Sequence, residues 1–532
     1  MFGFSFPPFS FSPLVFFAFA FLLFQFDNCS TYRQVFSRMY LLFFSWEILS
    51  VSWIALSGFR EGADTFLIIG GALTILIHTL FFVFCMMFLF FVRRNISNRK
   101  FPYLYLWFVP PIWIAHEYFQ LFGQLNFPWL FLGYSHTYDL HKIQYIEFTG
   151  MFGISYWICL IGCITFYIVK LVQSGNWNNS RLKIITLAVA VVVIYFIPDF
   201  YNLFSDAADK YRSKSDEGTV NIGIVQPNIN PWKKWGAKQE DLITNYLNLS
   251  SELISKDSLV QLIIFPETAL PFHFSWDLYN EKYLMIKNYV DSIRIPMLVG
   301  SADIHFYRNS QHSPPDAKQF SNGQKYDTFN SAILVEPGKD KNTYIRHNKF
   351  KLVAGSERMP YQHHLSFLKS LVKWSVGLSS FQIGQDTLLF DLPGSDKKFN
   401  VAICYESVYP DFFARYVNMG ADFSVIITND GWWGKFFGTY QHNQYAVLRA
   451  IENRRWIARC ANTGISCFID PYGNQHIKTQ IDETTTIGMN IGVVKEKTFY
   501  TKNGDIAGIV SAYICGVLFL VSIVAMVKRK VI

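Results

Sequence analysis

Apolar runs long enough to cross a bilayer decide most of what this chain can become. About twenty apolar residues span the hydrocarbon core. Seven stretches read as spans: Phe11 to Phe26, Met39 to Leu56, Phe66 to Val92, Tyr103 to Phe122, Phe152 to Val169, Ile184 to Ile197 and Ala507 to Val527. Six crowd into residues 1–200 and the last closes the chain at 506–527. The 532 residues include 53 Phe, and only 16% are charged, against about 25% in a soluble domain. A disordered chain and an ordinary water-facing globule are both excluded. The fourth run carries Pro110, Pro111, His116 and Glu117. At membrane depth a His or Glu is expensive and marks function. Near a helix end the same residues sit in the interface, and both readings stand.

Lys and Arg in short loops set the orientation. Arg93, Arg94, Arg99 and Lys100 follow the third run, Lys170, Arg181 and Lys183 follow the fifth, and Lys528, Arg529 and Lys530 follow the last. All three clusters fall on the cytoplasmic side together, with Arg33 and Arg38. The loop holding Glu61 and Asp64 then lies outside, as does everything from about 200 to 505. This parity also puts Met1 outside, which implies an additional helix upstream of Met1 or an unusual N-terminal insertion, the first being the preferred expectation. The net charge of +8 is thus a topology signal rather than a nucleic-acid footprint. Among the eight Cys no pair is spaced CxxC, so zinc and thioredoxin-like chemistry lack support. No metal-ligand set, Gly-rich phosphate loop or repeat is present, and no cofactor is implied.

From Thr219 the texture changes, and residues 219–497 read as a soluble α/β domain. Short Val- and Ile-rich runs recur, each ended by Pro, Asn, Asp or Gly: VNIGIVQPN (220–228), LIIFPET (262–268), MLVGSAD (297–303), SAILVEP (331–337), NVAICYES (400–407), FSVIITNDGWW (423–433) and WIARCANTG (456–464). Such runs read as buried strands. Helical patterns at 238–254 and 441–455 alternate with them, which predicts a layered α/β domain. Strand ends converge in such sheets. Glu267 ends one run, Cys404 another, and Lys349 follows a third. A carboxylate can take a thiol proton, and an ammonium can stabilise a thiolate or an oxyanion. Taken singly, each residue reads as core or surface.

Together they form a pattern. PET at 266–268, a Lys ahead of LV, CYE at 404–406 and the stretch TNDGWWG (428–434) resemble the nitrilase (carbon–nitrogen hydrolase) superfamily. SFPPFS (5–10), NFPWLFLGYS (126–135) and IQYIEFTGMFGISY (143–156) narrow the resemblance to its membrane-bound members, the apolipoprotein N-acyltransferases. The resemblance implies an α-helical membrane domain joined to a nitrilase-like αββα sandwich. It implies ping-pong transfer of an acyl chain from a phospholipid donor to the amine of a diacylated apolipoprotein, in a bacterial cytoplasmic membrane, with the catalytic domain outside. A monomer is expected. It assigns Cys404 as nucleophile, Glu267 as general base, Lys349 to oxyanion stabilisation, Glu357, Tyr405 and Glu406 as supporting residues, and Trp235 to the mouth of the site. The family reads K-x-x-L-V-P-F-G-E where this chain has KFKLVAGSE. Ala354, Gly355 and Ser356 therefore leave the loop before Glu357 outside the pattern, with the Lys-to-Glu spacing kept.

Two other readings compete: a tethered amidase acting on a soluble substrate, and an inactive lipoprotein-binding protein. Trp432, Trp433, Phe436 and Phe437 line a lipid cleft, dip into the bilayer or pack in the core, and Phe272, Phe274 and Trp276 pose the same choice. Asn228, Asn429 and Asn462 read as turn formers, His442 as structural and Lys351 as solvated.

Overall fold

The computed structural model describes every residue except 99, 176, 206–217, 309–312, 362–380, 386 and 532, and all side chains of the described residues but those at 177, 178, 530 and 531. Arg99, counted in a basic loop above, lies outside the described residues. The chain divides into two compact units. One comprises Met1–Leu56, Ile69–Asp209 and Thr498–Ile532, and the other Ser57–Ile68 with Lys210–Lys497.

The first unit is helical. Its main helices are α1 (Leu14–Asp27), α2 (Tyr32–Val51), α3 (Phe66–Ile96), α4 (Val109–Phe119), α5 (Phe152–Gln173), α6 (Trp177–Phe204) and α11 (Ile506–Val531), the last after the second unit's helices in the chain. Among the described residues, four helices are long and apolar enough to cross a membrane, all within α3, α5, α6 and α11. A fifth is α2 taken with Trp53–Phe59, which bends by 44° at the break. Two of the seven expected runs differ. α1 has 14 residues, about 21 Å of helix, short of a bilayer core. Tyr103 to Phe122 is not one helix: a 3₁₀ segment at Leu104–Phe108 precedes α4, which holds 11 residues with proline in its first turn. Proline lacks an N–H and fits only the first turn, so Pro110 and Pro111 start a helix where the run suggested a continuous one.

Glu117 is fully buried. It accepts from Trp113 Nε1 at 2.9 Å and from the Leu132 N–H at 2.8 Å, so it anchors the NFPWLFLGYS loop. Its carboxylate faces protein rather than solvent. One end of the unit gathers cations: Lys170 and Arg93 pair with Asp27 at 2.7 and 3.2 Å, and Arg529 donates to the Arg94 and Ser97 carbonyls. α6 exposes Val189, Val192, Val193, Phe196, Ile197 and Phe200, a surface suited to lipid.

The second unit is a two-sheet sandwich. Its strands are β1 (Thr219–Gln226), β2 (Leu262–Ile264), β3 (Met297–Phe306), β4 (Lys318–Gln319), β5 (Lys325–Val335), β6 (Arg346–Asn348), β7 (Phe390–Asp391), β8 (Lys398–Ile403), β9 (Phe423–Thr428), β10 (Ile457–Ala461), β11 (Cys467–Ile469), β12 (Gln475–His476) and β13 (Thr485–Gly492). One sheet runs β13-β1-β2-β3-β5-β4 with β6 on β5, and the other β12-β11-β10-β9-β8-β7. The centre of each is parallel: β1, β2 and β3 in the first, β8, β9 and β10 in the second. Helices α7 (Gln239–Lys256) and α8 (Asn280–Ile293) make the first crossovers, and α9 (Pro410–Met419) and α10 (Phe437–Asn453) the second.

Alternation within the strands assigns the faces. Ile222, Ile224, Leu262 and Ile264 meet Val401, Ile403, Val425 and Ile427 between the sheets. Val225, Ile263 and Val299 point the other way, onto Tyr246 and Leu253 of α7 and Ile286 and Val290 of α8. Each such buried side chain contributes about 1.5–3 kcal/mol. This is the αββα arrangement, and it brings the carboxyl ends of β2, β8, β9 and β10 to one edge. Residues Ser57–Ile68 pack with this unit. Arg60 donates to the Gly431 carbonyl, and Glu61 pairs with Lys233 at 3.3 Å.

Candidate active site

Three short segments supply the predicted residues. Glu267 lies just beyond β2, Lys349 directly after β6, and Cys404 directly after β8. The Lys349 ammonium is 1% exposed and donates to Glu267 Oε1 at 3.0 Å and Glu357 Oε1 at 2.8 Å. Asn330, in the middle of β5, donates through one Nδ2 to the same two oxygens, at 2.7 and 2.9 Å. The second Glu267 oxygen accepts the Asn429 backbone N–H at 3.0 Å. The Glu267 carboxylate is therefore held by an ammonium, an amide and a main-chain donor. Burial disfavours the Lys349 charge, but Glu267 and Glu357 outweigh it and hold that ammonium well above the usual lysine range. Lys349 stays a cation.

Cys404 is nearly buried and opens a 3₁₀ turn, Cys404–Val408. Its φ is +51°, a left-handed conformation that costs a residue with a Cβ roughly 1–2 kcal/mol. Hydrogen bonds hold the elbow. Ser407 Oγ donates to the Cys404 carbonyl at 2.8 Å, and His442 Nε2 lies 3.1 Å from the same oxygen. Burial first, and the Glu267 charge second, push the thiol well above its usual range, with Lys349 opposing. Cys404 therefore rests as a thiol, and Glu267 is the carboxylate whose charge acts on it most.

The supporting residues divide by what they touch. Glu357 reaches Lys349 and accepts the Val353 N–H at 2.8 Å through its other oxygen. The departing AGS loop closes on itself, with the Gly355 N–H donating to the Arg358 carbonyl at 2.8 Å. Gly355 has φ +82° there, which glycine adopts at no steric cost. Glu406 turns away from Glu267 and Lys349. It accepts the Phe350 N–H at 2.6 Å on one oxygen, and the Ile403 N–H at 2.7 Å and His347 Nε2 at 3.0 Å on the other. One carboxylate thereby ties the residue after Lys349 to the residue before Cys404. Tyr405 packs edge-on against Tyr409, ring centroids 5.4 Å apart. Trp235 sits in a 3₁₀ turn, Lys234–Gly236, with its buried indole N–H unpartnered among the described residues.

Residues 221–492 match the carbon–nitrogen hydrolase family, over half of the chain. The chain belongs to that family. Residues 1–164 of this carbon–nitrogen hydrolase match the apolipoprotein N-acyltransferase N-terminal domain, the membrane-bound branch inferred from the sequence. An apolipoprotein N-acyltransferase of Chlorobaculum tepidum is 28% identical over 96% of this chain and 92% of its own. One from Geobacter metallireducens is 27% identical over 75% and 70%. Among solved structures, Saccharomyces cerevisiae Nit3, a nitrilase-superfamily member, is similar over 52% of this chain and 90% of its own, with TM-score 0.37 and 14% identity.

Sequence reasoning missed several groups in this carbon–nitrogen hydrolase. Asn330 was hidden inside an apolar strand, its one signal being an amide in mid-run. Asn429 serves through its backbone, which no side-chain pattern reveals, while its Oδ1 accepts from Asn462 at 3.0 Å. Asp430 and Arg459 join His442, which the sequence reads as structural, in a buried cluster behind the elbow. Asp430 is 2.8 Å from both partners, and Arg459 and His442 hold its carboxyl far below the usual range against burial. Lys351 is half-buried, its ammonium 4.5 Å over the Tyr409 ring. Phe272 and Phe274 are core residues, whereas Trp432 and Trp433 are half-buried against Trp232 and His442.

Proposed function

We propose that this chain transfers an acyl chain from a membrane phospholipid to the N-terminal amine of the S-diacylglyceryl cysteine of apolipoproteins. The observation that carries the reading is the pairing of Glu267, Lys349 and the Cys404 elbow in a chain whose first 164 residues match the N-acyltransferase membrane domain. A tethered amidase would need the same catalytic groups but not that domain.

Cys404 Sγ attacks the phospholipid ester carbonyl as Glu267 takes the thiol proton. The developing oxyanion faces the permanent Lys349 cation. Collapse breaks the ester bond, and Glu267 returns the proton to the leaving lysophospholipid oxygen. A neutral amine then attacks the thioester, Glu267 accepts its proton, and the thiol is regenerated. Water competes for the thioester, and a lipid-lined cleft suppresses that loss. Glu357, through Lys349, and Glu406, through both loops, position these groups. Tyr405 packs beside the nucleophile. Trp235 meets the substrate at the mouth.

The protein acts as a multi-pass monomer in the bacterial cytoplasmic membrane, with residues 219–497 outside. Support comes from the meeting of Arg93, Lys170 and Arg529 at one end of the helical unit, and from the packing of the expected outer loop 57–68 with the catalytic unit. The deciding experiment incubates the purified protein with labelled phospholipid. A hydroxylamine-sensitive acyl label absent from Cys404→Ala, and passed to a diacylated lipopeptide, is expected. No label refutes the reading, and label released only to water refutes the acceptor.

A further inference from the structure

In the sequence Lys233 and Lys234 are an unremarked pair before Trp235. The fold treats them differently. Lys233 is exposed and meets Glu61, whereas Lys234 is 1% exposed. Lysines are almost never fully buried unless paired, yet among the described residues no carboxylate bonds this one. Its ammonium donates instead to the Thr268 carbonyl at 2.6 Å and the Thr268 Oγ1 at 2.8 Å. Both acceptors belong to the residue directly after Glu267.

Thr268 has φ +46°. Left-handed backbone is a genuine outlier for a β-branched residue, so the surroundings must impose it. One side is fixed by Gly300 in β3. A Cβ there would meet the Pro266 carbonyl oxygen at 2.2 Å and the Glu267 Cα at 2.8 Å, so the chain turns directly on the strand. Lys234 holds the other side. The turn decides where the Glu267 carboxylate emerges, between Lys349, Asn330 and the Asn429 N–H.

The loop that supplies Lys234 also carries Trp235, whose indole N–H is unpartnered. That loop is stitched to the site by a second route. Ile229 exchanges two hydrogen bonds with the Asn462 side chain, at 3.1 and 2.7 Å, and the same Asn462 amide donates to Asn429. Burial, opposed by the Glu267 charge, lowers the Lys234 pKa to about 7, so this amine is poised between charged and neutral and feels the Glu267 carboxylate.

We propose that Lys234 is a positioning residue for the reaction: by gripping Thr268 it aims the general base Glu267 and couples that base to the loop presenting Trp235. The inference rests on the acyltransferase reading above. Its test uses the full-length protein in detergent with a labelled phospholipid. Burst amplitude counts competent sites, and the single-turnover rate reports acylation of each. Lys234→Met keeps the length of the side chain and removes all donors. Its acylation rate at saturating phospholipid is expected to fall about tenfold to a hundredfold, the range of small misplacements, with KM changed less than about threefold. Thr268→Ala, which leaves Lys234 in place, loses less, and the double variant loses no more than Lys234→Met alone. Should Lys234→Met not fold, the rate loss in Thr268→Ala carries the test. A purely structural role would lower burst amplitude and leave the rate per site unchanged. That result, or additive losses in the double variant, overturns the proposal. Failure of the unmodified protein to form any Cys404-dependent acyl-enzyme would instead remove the acyltransferase reading, and this inference with it.

Discussion

Glu406→Gln isolates how the two halves of the site are held together. The substitution keeps size and shape and removes one negative charge. In the native fold both oxygens accept only: the Phe350 N–H at 2.6 Å on one side, the Ile403 N–H at 2.7 Å and His347 at 3.0 Å on the other. An amide has one acceptor and one donor end, so one backbone N–H must face an NH₂ group. Turning the NH₂ toward His347 costs least, because an imidazole nitrogen can become an acceptor. The unpaired donor is then Ile403 N–H, the residue before Cys404. A buried donor without an acceptor costs about 1–3 kcal/mol, and exchanging a charged for a neutral acceptor at Phe350 costs about 1 kcal/mol more.

The expected total is about 3 kcal/mol. Carried into the transition state, that is roughly a hundredfold loss in rate. Glu406→Asp keeps the charge but withdraws it by one carbon–carbon bond, about 1.5 Å. It is expected to reach one backbone donor and lose the other. The assay is single-turnover acylation of Cys404 by labelled phospholipid, beside the thermal midpoint of the full-length protein. Both variants should acylate slowly, and both should melt earlier. A Gln variant with the parental rate and midpoint would refute the view that this carboxylate positions the nucleophile.

Three further outcomes follow from the same geometry. Asn330→Ala removes both amide bonds to Glu267 and Glu357 and should slow acylation about tenfold to a hundredfold, one to two times 1.4 kcal/mol. A pH–rate profile identical to the parent's, with an unchanged rate, would dismiss Asn330. Glu267→Gln should abolish acylation yet speed alkylation of Cys404 by a small iodoacetamide between pH 7 and 9. The Glu267 charge raises the thiol pKa, and its removal lets Lys349 lower it. The sign is what matters, and slower alkylation in the variant would contradict it. Gly300→Ala places a Cβ 2.2 Å from the Pro266 carbonyl oxygen, against backbone that cannot yield without moving Glu267. A destabilisation of about 1–3 kcal/mol is expected, read as a lower thermal midpoint with slower acylation, and an alanine variant equal to the parent would show the close approach to be relaxed.

What the sequence disclosed and what it hid follow one physical line. The candidate catalytic side chains at strand ends were legible, because Glu267, Lys349 and Cys404 break apolar runs with groups that core packing does not require. The sandwich was legible for a related reason: runs buried on both faces leave little alternation, and helical patterns between them imply parallel crossovers. Groups acting through the backbone were not. Asn429 donates its N–H to Glu267, and any residue there offers that donor. The elbow's left-handed turn at Cys404 is equally silent, since its cost is met by tertiary hydrogen bonds. Hydropathy likewise counted residues rather than helix starts. It read 103–122 as one span, whereas two prolines place a helix start inside it.

The thiol's resting state links these features. A preformed thiolate beside Lys349 would be reactive before substrate arrived, open to alkylation and oxidation. Burial and the Glu267 charge prevent that by keeping the proton on sulfur. In the proposed mechanism the same carboxylate takes it, so the element that restrains the thiol also activates it. Lys349 cannot perform the restraint, because its two carboxylate partners keep it charged. An incoming ester alters the balance by excluding water and offering an oxyanion for that charge. In that mechanism activation is tied to a lipid's arrival, which gives the buried Glu267, anchored by three donors, a reason to be aimed by as many donors as converge on it.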